Sequence, residues 1–470
     1  MPAFEGQAYL YLFQSFNALS FSIILGAPIV LFTTWLGGGS KSVGIVTSIM
    51  PFLTILQIPS TIYIGKLGYR RAMLAGWSTR TFVILGFVFL PFLKGRWSTA
   101  SLIAFLCLCL FAWSFLRGMA NASWLPWIRA LVPDEKRGRF FAAESRYIQL
   151  MSLVILFLSG VILGSQPDKW RFSLLFLISF LFGMTSVIFL SRIPSKEVPQ
   201  EEKHIPSPLK TIRQALQFKK FKRFLLYALV FTVANGGFDA FTVLFLKRES
   251  HFSERRILWL TACSSGGMIL VLFFIGKFLD RWGSKPIMKI CMSLMVSYQI
   301  VWFFMAQRFL AGNYIFLVFL YLVTGGIRAA IGIATTRLTM ISVPKNAILM
   351  SLALYTTGTG VLSGFTPLFW GFVLDIVSAG WLQPFGYFFL GGILLNLLAF
   401  FLLRKVKESK TERTKKVVHS LLIQPVQALM QMMSFSPGNQ NLSPETSGDQ
   451  VLPDEADTSA RNNDNCSSRS

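Results

Sequence analysis

Charge is what this sequence has least of. Asp, Glu, Lys and Arg make up 14% of its 470 residues, where a soluble domain carries roughly a quarter. The shortage falls on the acids, 21 Asp and Glu against 45 Lys and Arg. Such a chain cannot clothe a domain-sized surface in water-facing groups, which excludes a soluble globular fold. Histidine is nearly absent: His204, His251 and His419 fall in polar connections or the C-terminal tail, so no histidine relay runs through the apolar segments. Of five cysteines, Cys107, Cys109, Cys263 and Cys291 lie inside or beside apolar runs and Cys466 lies in the tail. With no second pair at ligand spacing and no His cluster, they form no expected metal or redox site and read as small buried hydrophobes.

Other absences narrow the field further. No glycine-rich loop ends in Lys followed by Ser or Thr, which argues against ATP as the energy source. Residues 1–40 contain no Lys or Arg, so the basic start of a cleavable signal peptide is missing and the first apolar run is expected to stay as a span. The apolar runs do not gather His, Asp or Ser at one depth, as a membrane-embedded enzyme requires. No catalytic residue and no cofactor is expected.

What is there is apolar length. Hydrophobic residues reach 53%, with 46 Phe, and runs of about 20 residues recur, the length needed to cross ~30 Å of hydrocarbon. Each run must satisfy its own backbone hydrogen bonds, which a helix does. The sequence therefore predicts an all-α, polytopic membrane protein. Twelve spans are expected near 10–34, 42–64, 72–93, 98–120, 143–166, 170–193, 223–247, 256–279, 286–306, 312–334, 349–377 and 382–404.

The polar stretch 194–222 separates two sets of six, 1–193 and 223–404. Residues 405–435 form a basic and amphipathic segment, and 436–470, rich in Ser, Asn, Asp and Pro, read as disordered. Lys and Arg concentrate in the loops after even-numbered spans and after span 12, so both termini are expected in the cytoplasm, in a plasma (inner) membrane with lipid as the surrounding partner. The net charge of +24 does not signal nucleic acid, because the basic residues sit in short loops rather than on a hydrophilic domain.

A shift of 211 residues superposes features of the two halves. Gly26 meets Gly237, Gly65-Lys66 meets Gly276-Lys277, Arg70 meets Arg281, Arg117 meets Arg328, and Val132-Pro133 meets Val343-Pro344. Intramembrane arginine is rare and costly, so the arginine pairs favour a genuine duplication into parallel six-helix repeats.

After span 8 the chain reads Gly276-Lys-Phe-Leu-Asp280-Arg281-Trp-Gly283-Ser-Lys285. It resembles the Gly-x-x-x-Asp-Arg-x-Gly-x-basic signature of the major facilitator superfamily. The resemblance covers roughly residues 10–404 and implies two pseudo-symmetric six-helix bundles, with Gly276, Asp280, Arg281, Gly283 and Lys285 as a cytoplasmic latch between them. The first-half copy, Gly65, Gly68, Arg70 and Arg71, lacks the acid: Tyr69 takes its place at the 211 offset, and Gly65 does if the loop is shortened so that Gly68 matches Gly283. Arg70 and Arg71 also suit simple topogenic charges. Arg117-Gly118-Met119-Ala120-Asn121 is faintly similar to the family's arginine motif of the fourth helix, while the Gly-Pro signature of antiporters is missing from span 5. Pro367 fits a kinked eleventh helix.

Buried ionisable groups are the candidates for chemistry. Asp239 follows Asn235-Gly236-Gly237 in span 7, where a double glycine loosens the helix, and it reads either as a cation, proton or substrate ligand or as a helix-capping carboxylate. Arg117 and Arg328 read as a symmetric pair that binds an anion or closes the inner gate, or as snorkelling charges. Arg80 reads as a packing or snorkelling residue. Asn17, Gln57, Gln299 and Asn396 either line the cavity or join helices, the commoner role. The function expected is secondary active transport of a small solute by alternating access, coupled to a proton or cation gradient, by a monomer. The alternatives are a transporter-like sensor, a facilitator without ion coupling and, least favoured, a membrane-embedded enzyme.

Overall fold

The computed structural model describes residues 6–57, 59–60, 64, 67–194, 217–342, 348–377 and 382–406, leaving aside the side chains of 129, 134–139, 340–341 and 348–353. Gly65, Lys66, Val343-Pro344, most of the central connection and the segments 407–435 and 436–470 lie outside the described residues.

Span 1 comprises Gln7–Leu25 and Ala27–Trp35, and span 2 begins with Ser40–Leu53 followed by a 3-10 turn, Thr54–Leu56. Spans 3 to 6 are Tyr69–Leu93, Thr99–Asn121, Asp134–Leu163 and Lys169–Ser191. Span 7 comprises Lys219–Asn235 and Phe238–Arg248, and spans 8 to 12 are Glu254–Trp282, Ser284–Ala306, Tyr314–Ile341, Ile348–Ile376 and Pro384–Arg404. Among the described residues eleven helices are long and apolar enough to cross a membrane, and span 2 is represented by the shorter apolar stretch Ser40–Leu56. Spans 1 to 6 pack on one another, as do spans 7 to 12. The fold is all-α, twelve helices in two six-helix bundles.

Several boundaries differ from the sequence reading, and span 10 runs on to Ile341. A short helix, Trp124–Leu131, occupies what reads as loop, and span 5 starts at Asp134, directly after the extended Pro133. Span 7 starts at Lys219, so Lys219, Lys220 and Lys222 belong to the helix rather than to the connection. Charge ends an apolar run in the sequence, but it does not end a helix once that helix has left the hydrocarbon.

Spans 1 and 7 both break, and at corresponding residues. Gly26 is extended between the two helices of span 1, and Gly237, with φ 73°, starts the second helix of span 7. That conformation favours glycine, and a Cβ on Gly237 would also come within 2.8 Å of Pro367. The break in span 7 therefore rests on the proline inside span 11.

The repeat has no constant offset. Gly68 (φ 80°, ψ 147°) and Gly283 (φ 84°, ψ 168°) share one conformation, each directly before the next span. Arg70 donates to the carbonyls of Ser191 and Ile193 at the end of span 6, and Lys285 donates to those of Arg404 and Val406 at the end of span 12. Each cation thus meets a helix C-terminus. Arg70 corresponds to Lys285, 215 residues on, and not to Arg281 as the 211 shift implies. The shorter loop is the right register, which sets Gly65 opposite Asp280.

Large apolar side chains point outward all around the bundle, among them Phe89, Leu108, Phe319 and Phe401. In hydrocarbon such exposure carries no penalty, so cohesion between helices must come from close approach and hydrogen bonds. Spans 8 and 10 approach closely: a Cβ on Gly267 would lie 1.8 Å from the Leu322 carbonyl oxygen, and one on Gly325 1.8 Å from that of Ser264. Gly325→Leu is expected to force these helices apart at a cost of about 2 kcal/mol or more, read as a lowered unfolding midpoint in detergent. Gly276→Ala, on span 8 with open space around it, should leave the midpoint unchanged or raise it.

Candidate functional site

Two adjoining cavities lie between the helices from about their middles toward the end that carries the 194–217 connection. The first, about 340 Å³, is lined by Tyr227, Phe231, Asn235, Asp239, Arg328 and Tyr355 among others. The second, about 510 Å³, is lined by Thr54, Gln57 and Asn121 of the first half and by Thr232, Thr356, Thr357, Thr359, Gly360 and Ser363 of the second. Thr232 and Ser363 belong to both. The combined space is walled by hydroxyls, amides and aromatic rings, with one acid and one base.

That acid and base are an ion pair. Arg328 Nη1 of span 10 donates to Asp239 Oδ2 of span 7, just past the glycine break. The Asp239 side chain is 71% exposed and that of Arg328 23%, so the carboxylate faces the cavity while the guanidinium backs it. Position 239 less 211 is Pro28, two residues after the break at Gly26, so the first half has no acid there. Measured from the starts of their helices, Arg117 lies eighteen residues past Thr99 and Arg328 fourteen past Tyr314. The two arginines therefore differ by one helical turn and by the presence of a partner. They do not form the symmetric pair the sequence suggests.

Behind Asp239 the second half is tied by amides. Asn235 Nδ2 donates to Asn396 Oδ1 at 3.0 Å, and Asn396 Nδ2 to Gln299 Oε1 at 2.9 Å. Gln299 and Asn396 are fully buried and join spans 7, 9 and 12, whereas Asn235 also reaches the cavity. Gln57 lines the cavity. The two roles that the sequence leaves open thus divide among these residues by burial.

The first half carries a buried network of its own. Asn17 Oδ1 accepts from Trp77 Nε1 (3.3 Å) and from Arg80 Nη2, and Asn17 Nδ2 donates to Gln14 Oε1 at 3.4 Å. Gln14 Nε2 in turn donates to Glu144 Oε1 of span 5. Arg80 is 3% exposed and its guanidinium lies 4.1 Å from the Trp77 ring and 4.8 Å from that of Trp113. It does not snorkel. Asn17 holds Arg80 and does not line either cavity. Gln14 and Glu144 escape a sequence reading although both fall inside expected spans, because their pairing depends on how spans 1 and 5 face each other.

The signature after span 8 makes contacts within the second half. Asp280 Oδ1 accepts from Arg337 Nη1 of span 10 at 3.0 Å, Lys285 caps span 12 as above, Arg281 lies 5.9 Å over the Trp282 ring, and Gly283 makes the turn. Arg71 is exposed. At the opposite end the halves touch directly. Arg248 Nη2 donates to the Gly38 carbonyl (2.9 Å), the Arg255 backbone N–H to that of Gly164 (3.0 Å), and Trp259 stacks on Phe157 at 5.2 Å. A Cβ on Gly44 would lie 2.4 Å from the Pro367 carbonyl oxygen, so spans 2 and 11 meet backbone to backbone. The bundle is closed at that end, and the cavity lies toward the other.

The sequence profile of the Major Facilitator Superfamily matches residues 10–253 and again 235–438. Among solved structures, the chain is similar to a D-xylose-proton symporter, at 14% identity and TM-score 0.67 over 88% of this chain and 99% of that one. It is also similar to a variant of the nucleoside transporter NupG, at 13% and 0.66 over 86% and 100%. A third likeness is the inward-open xylose transporter XylE from E. coli, at 15% and 0.64 over 88% and 98%. No curated protein sequence matches significantly. Asn17→Leu removes the acceptor of both the Arg80 guanidinium and the Trp77 indole, and is expected to cost on the order of 2–4 kcal/mol. Thermal unfolding of the purified protein measures it.

Proposed function

The chain belongs to the major facilitator superfamily, and on that premise we propose that it is a secondary active transporter that rocks its two bundles about the central cavity, coupled to a proton or cation gradient. It is an integral, multi-pass membrane protein of transporter type. The observation that carries the finer reading is the Asp239–Arg328 ion pair on the cavity wall. An ion pair on a cavity wall is a switch: a proton or cation arriving at Asp239 competes with Arg328 for the carboxylate. Asp239 also follows the Gly236–Gly237 break, which packs on Thr366 and Pro367 of span 11. Span 11 is the helix that meets span 2 at the closed end, so loosening the pair loosens the seat of that closure.

The closed end, in this proposal, faces away from the cytoplasm, and both termini face it, in a plasma (inner) membrane. Neutral hydroxyl and amide groups dominate the walls of the larger cavity, which suits a small polar solute. The working unit is a monomer, because each chain encloses its own cavity. The signature residues Asp280, Arg281 and Lys285, together with Gly276 and Gly283, act on the cytoplasmic side, with Arg70 and Arg71 as their counterparts in the first half.

In proteoliposomes offered a metabolite panel with and without an imposed pH or Na⁺ gradient, the wild type is expected to accumulate its solute against a concentration gradient and Asp239→Asn to lose that accumulation. Equal gradient-driven accumulation by both proteins overturns the coupling role. For topology, in a background with the native cysteines replaced, Arg96→Cys should react with an impermeant maleimide added to intact cells and Arg404→Cys only after lysis. The reverse pattern overturns the orientation.

A further inference from the structure

Four buried hydrogen-bond donors without an acceptor lie on neighbouring spans of the first half: Nε and Nη1 of Arg80, Nε1 of Trp113, whose ring is 4.8 Å from the Arg80 guanidinium, and the hydroxyl of the adjacent Ser114. Arg80 belongs to span 3 and the other two to span 4. A buried donor left unpaired costs about as much as a lost hydrogen bond or more, and native interiors leave few. All four lack the same thing, an acceptor.

The surplus is also one of charge. Arg117, one turn along span 4 from Trp113, holds its guanidinium 6.0 Å from that ring and stands close enough to repel Arg80. Among the described residues no carboxylate pairs with either arginine. Glu144 reaches Arg80 only through Gln14 and Asn17, and Asp239 is committed to Arg328. Two positive charges thus sit in the membrane interior of the first half with one remote acid between them, where an unmatched charge is expensive.

The helix stripe that carries the cluster continues to the cavity. Trp113, Arg117 and Asn121 recur every four residues, which places them on one stripe of span 4. The Trp113 end packs on Arg80, and the Asn121 end lines the larger cavity.

Resting on the transporter reading above, we infer that this stripe recognises an acidic group of the solute, a carboxylate or a phosphate. Arg117 takes the group at the cavity, and the free donors of Arg80, Trp113 and Ser114 complete its coordination. A guanidinium fork matches the two oxygens of such a group, and the stacked indoles hold the forks in place without consuming their donors. The rest of the solute faces Thr54, Gln57, Thr232, Thr357 and Ser363, all neutral hydrogen-bonding side chains. The solute class is a small hydroxylated organic anion.

Ligand-dependent thermal stabilisation of the purified full chain in detergent tests this without requiring flux. The probes, at matched ionic strength, are malate, glycerol 3-phosphate, inorganic phosphate and chloride, with malamide and glycerol as uncharged counterparts. Malate or glycerol 3-phosphate is expected to raise the midpoint saturably, which also tells a carboxylate from a phosphate, while malamide and glycerol do not. Arg117→Gln should weaken the apparent Kd at least tenfold, about 1.4 kcal/mol, and Arg117→Lys less. Because an Arg80 variant risks misfolding, Trp113→Phe serves as the second variant: it keeps a ring on Arg80, removes one donor and should also weaken binding. Stabilisation by no organic anion, equal stabilisation by the uncharged probes, saturation by chloride alone, or unaltered binding by Arg117→Gln overturns the site. An anion that binds but is not carried in proteoliposomes refutes the transporter reading and leaves the site standing.

Discussion

A charge held inside hydrocarbon must be matched there, and the interior of this protein is organised by how three arginines are matched. Arg328 has a carboxylate, Asp239, at the cavity wall. Arg80 has a stack of two indoles and the Asn17 amide oxygen. Arg117 has the edge of that stack, one turn from the cavity-lining Asn121. Each solution draws in a different set of neighbours. The ion pair engages the broken span 7 and span 10, the stack engages spans 3 and 4, and Asn17 extends the chain of contacts to span 1 and, through Gln14 and Glu144, to span 5. The two bundles share an architecture and have unlike interiors, because duplication sets where helices go and leaves free which of them carry charge.

The rest of the packing follows from the surrounding solvent. Phenylalanine outside and phenylalanine inside are almost equivalent in lipid, so apolar content cannot decide which face of a helix turns inward. Glycine decides it instead. Where Gly267 and Gly325 meet spans 10 and 8, or Gly44 meets Pro367, the backbones come near enough that any side chain would intrude. The buried amides of Asn235, Gln299 and Asn396 add direction, since each has a fixed arrangement of donors and acceptors to satisfy.

Much of this was legible in the sequence. Apolar run length yields all twelve spans, because hydrocarbon thickness is a hard constraint, and the Gly26 and Gly237 matches mark the helix breaks in the two halves. Asp239 stands out as a rare intramembrane acid, and Arg328 as a rare base, although their pairing depends on how spans 7 and 10 face each other. The loop register was not legible: identical residue types at one spacing, Arg70 and Arg281, outweigh the unlike pair Arg70 and Lys285, whose equivalence lies in the carbonyls they cap. The Gln14–Glu144 contact was not legible either, since it depends on how spans 1 and 5 face each other. The orphan donors of Arg80, Trp113 and Ser114 have no one-dimensional signal, since being unpaired is a property of surroundings.

The contacts that close the bundle away from the cavity end largely on main-chain atoms. Arg248 is bound by the carbonyl of Gly38, the N–H of Arg255 by the carbonyl of Gly164, and Gly44 abuts the carbonyl of Pro367. A carbonyl is present whatever residue occupies its position. The gate is thereby insulated from the side-chain exchanges that alter what a cavity recognises, and a lineage carrying this scaffold can retune its cargo without having to reinvent its door.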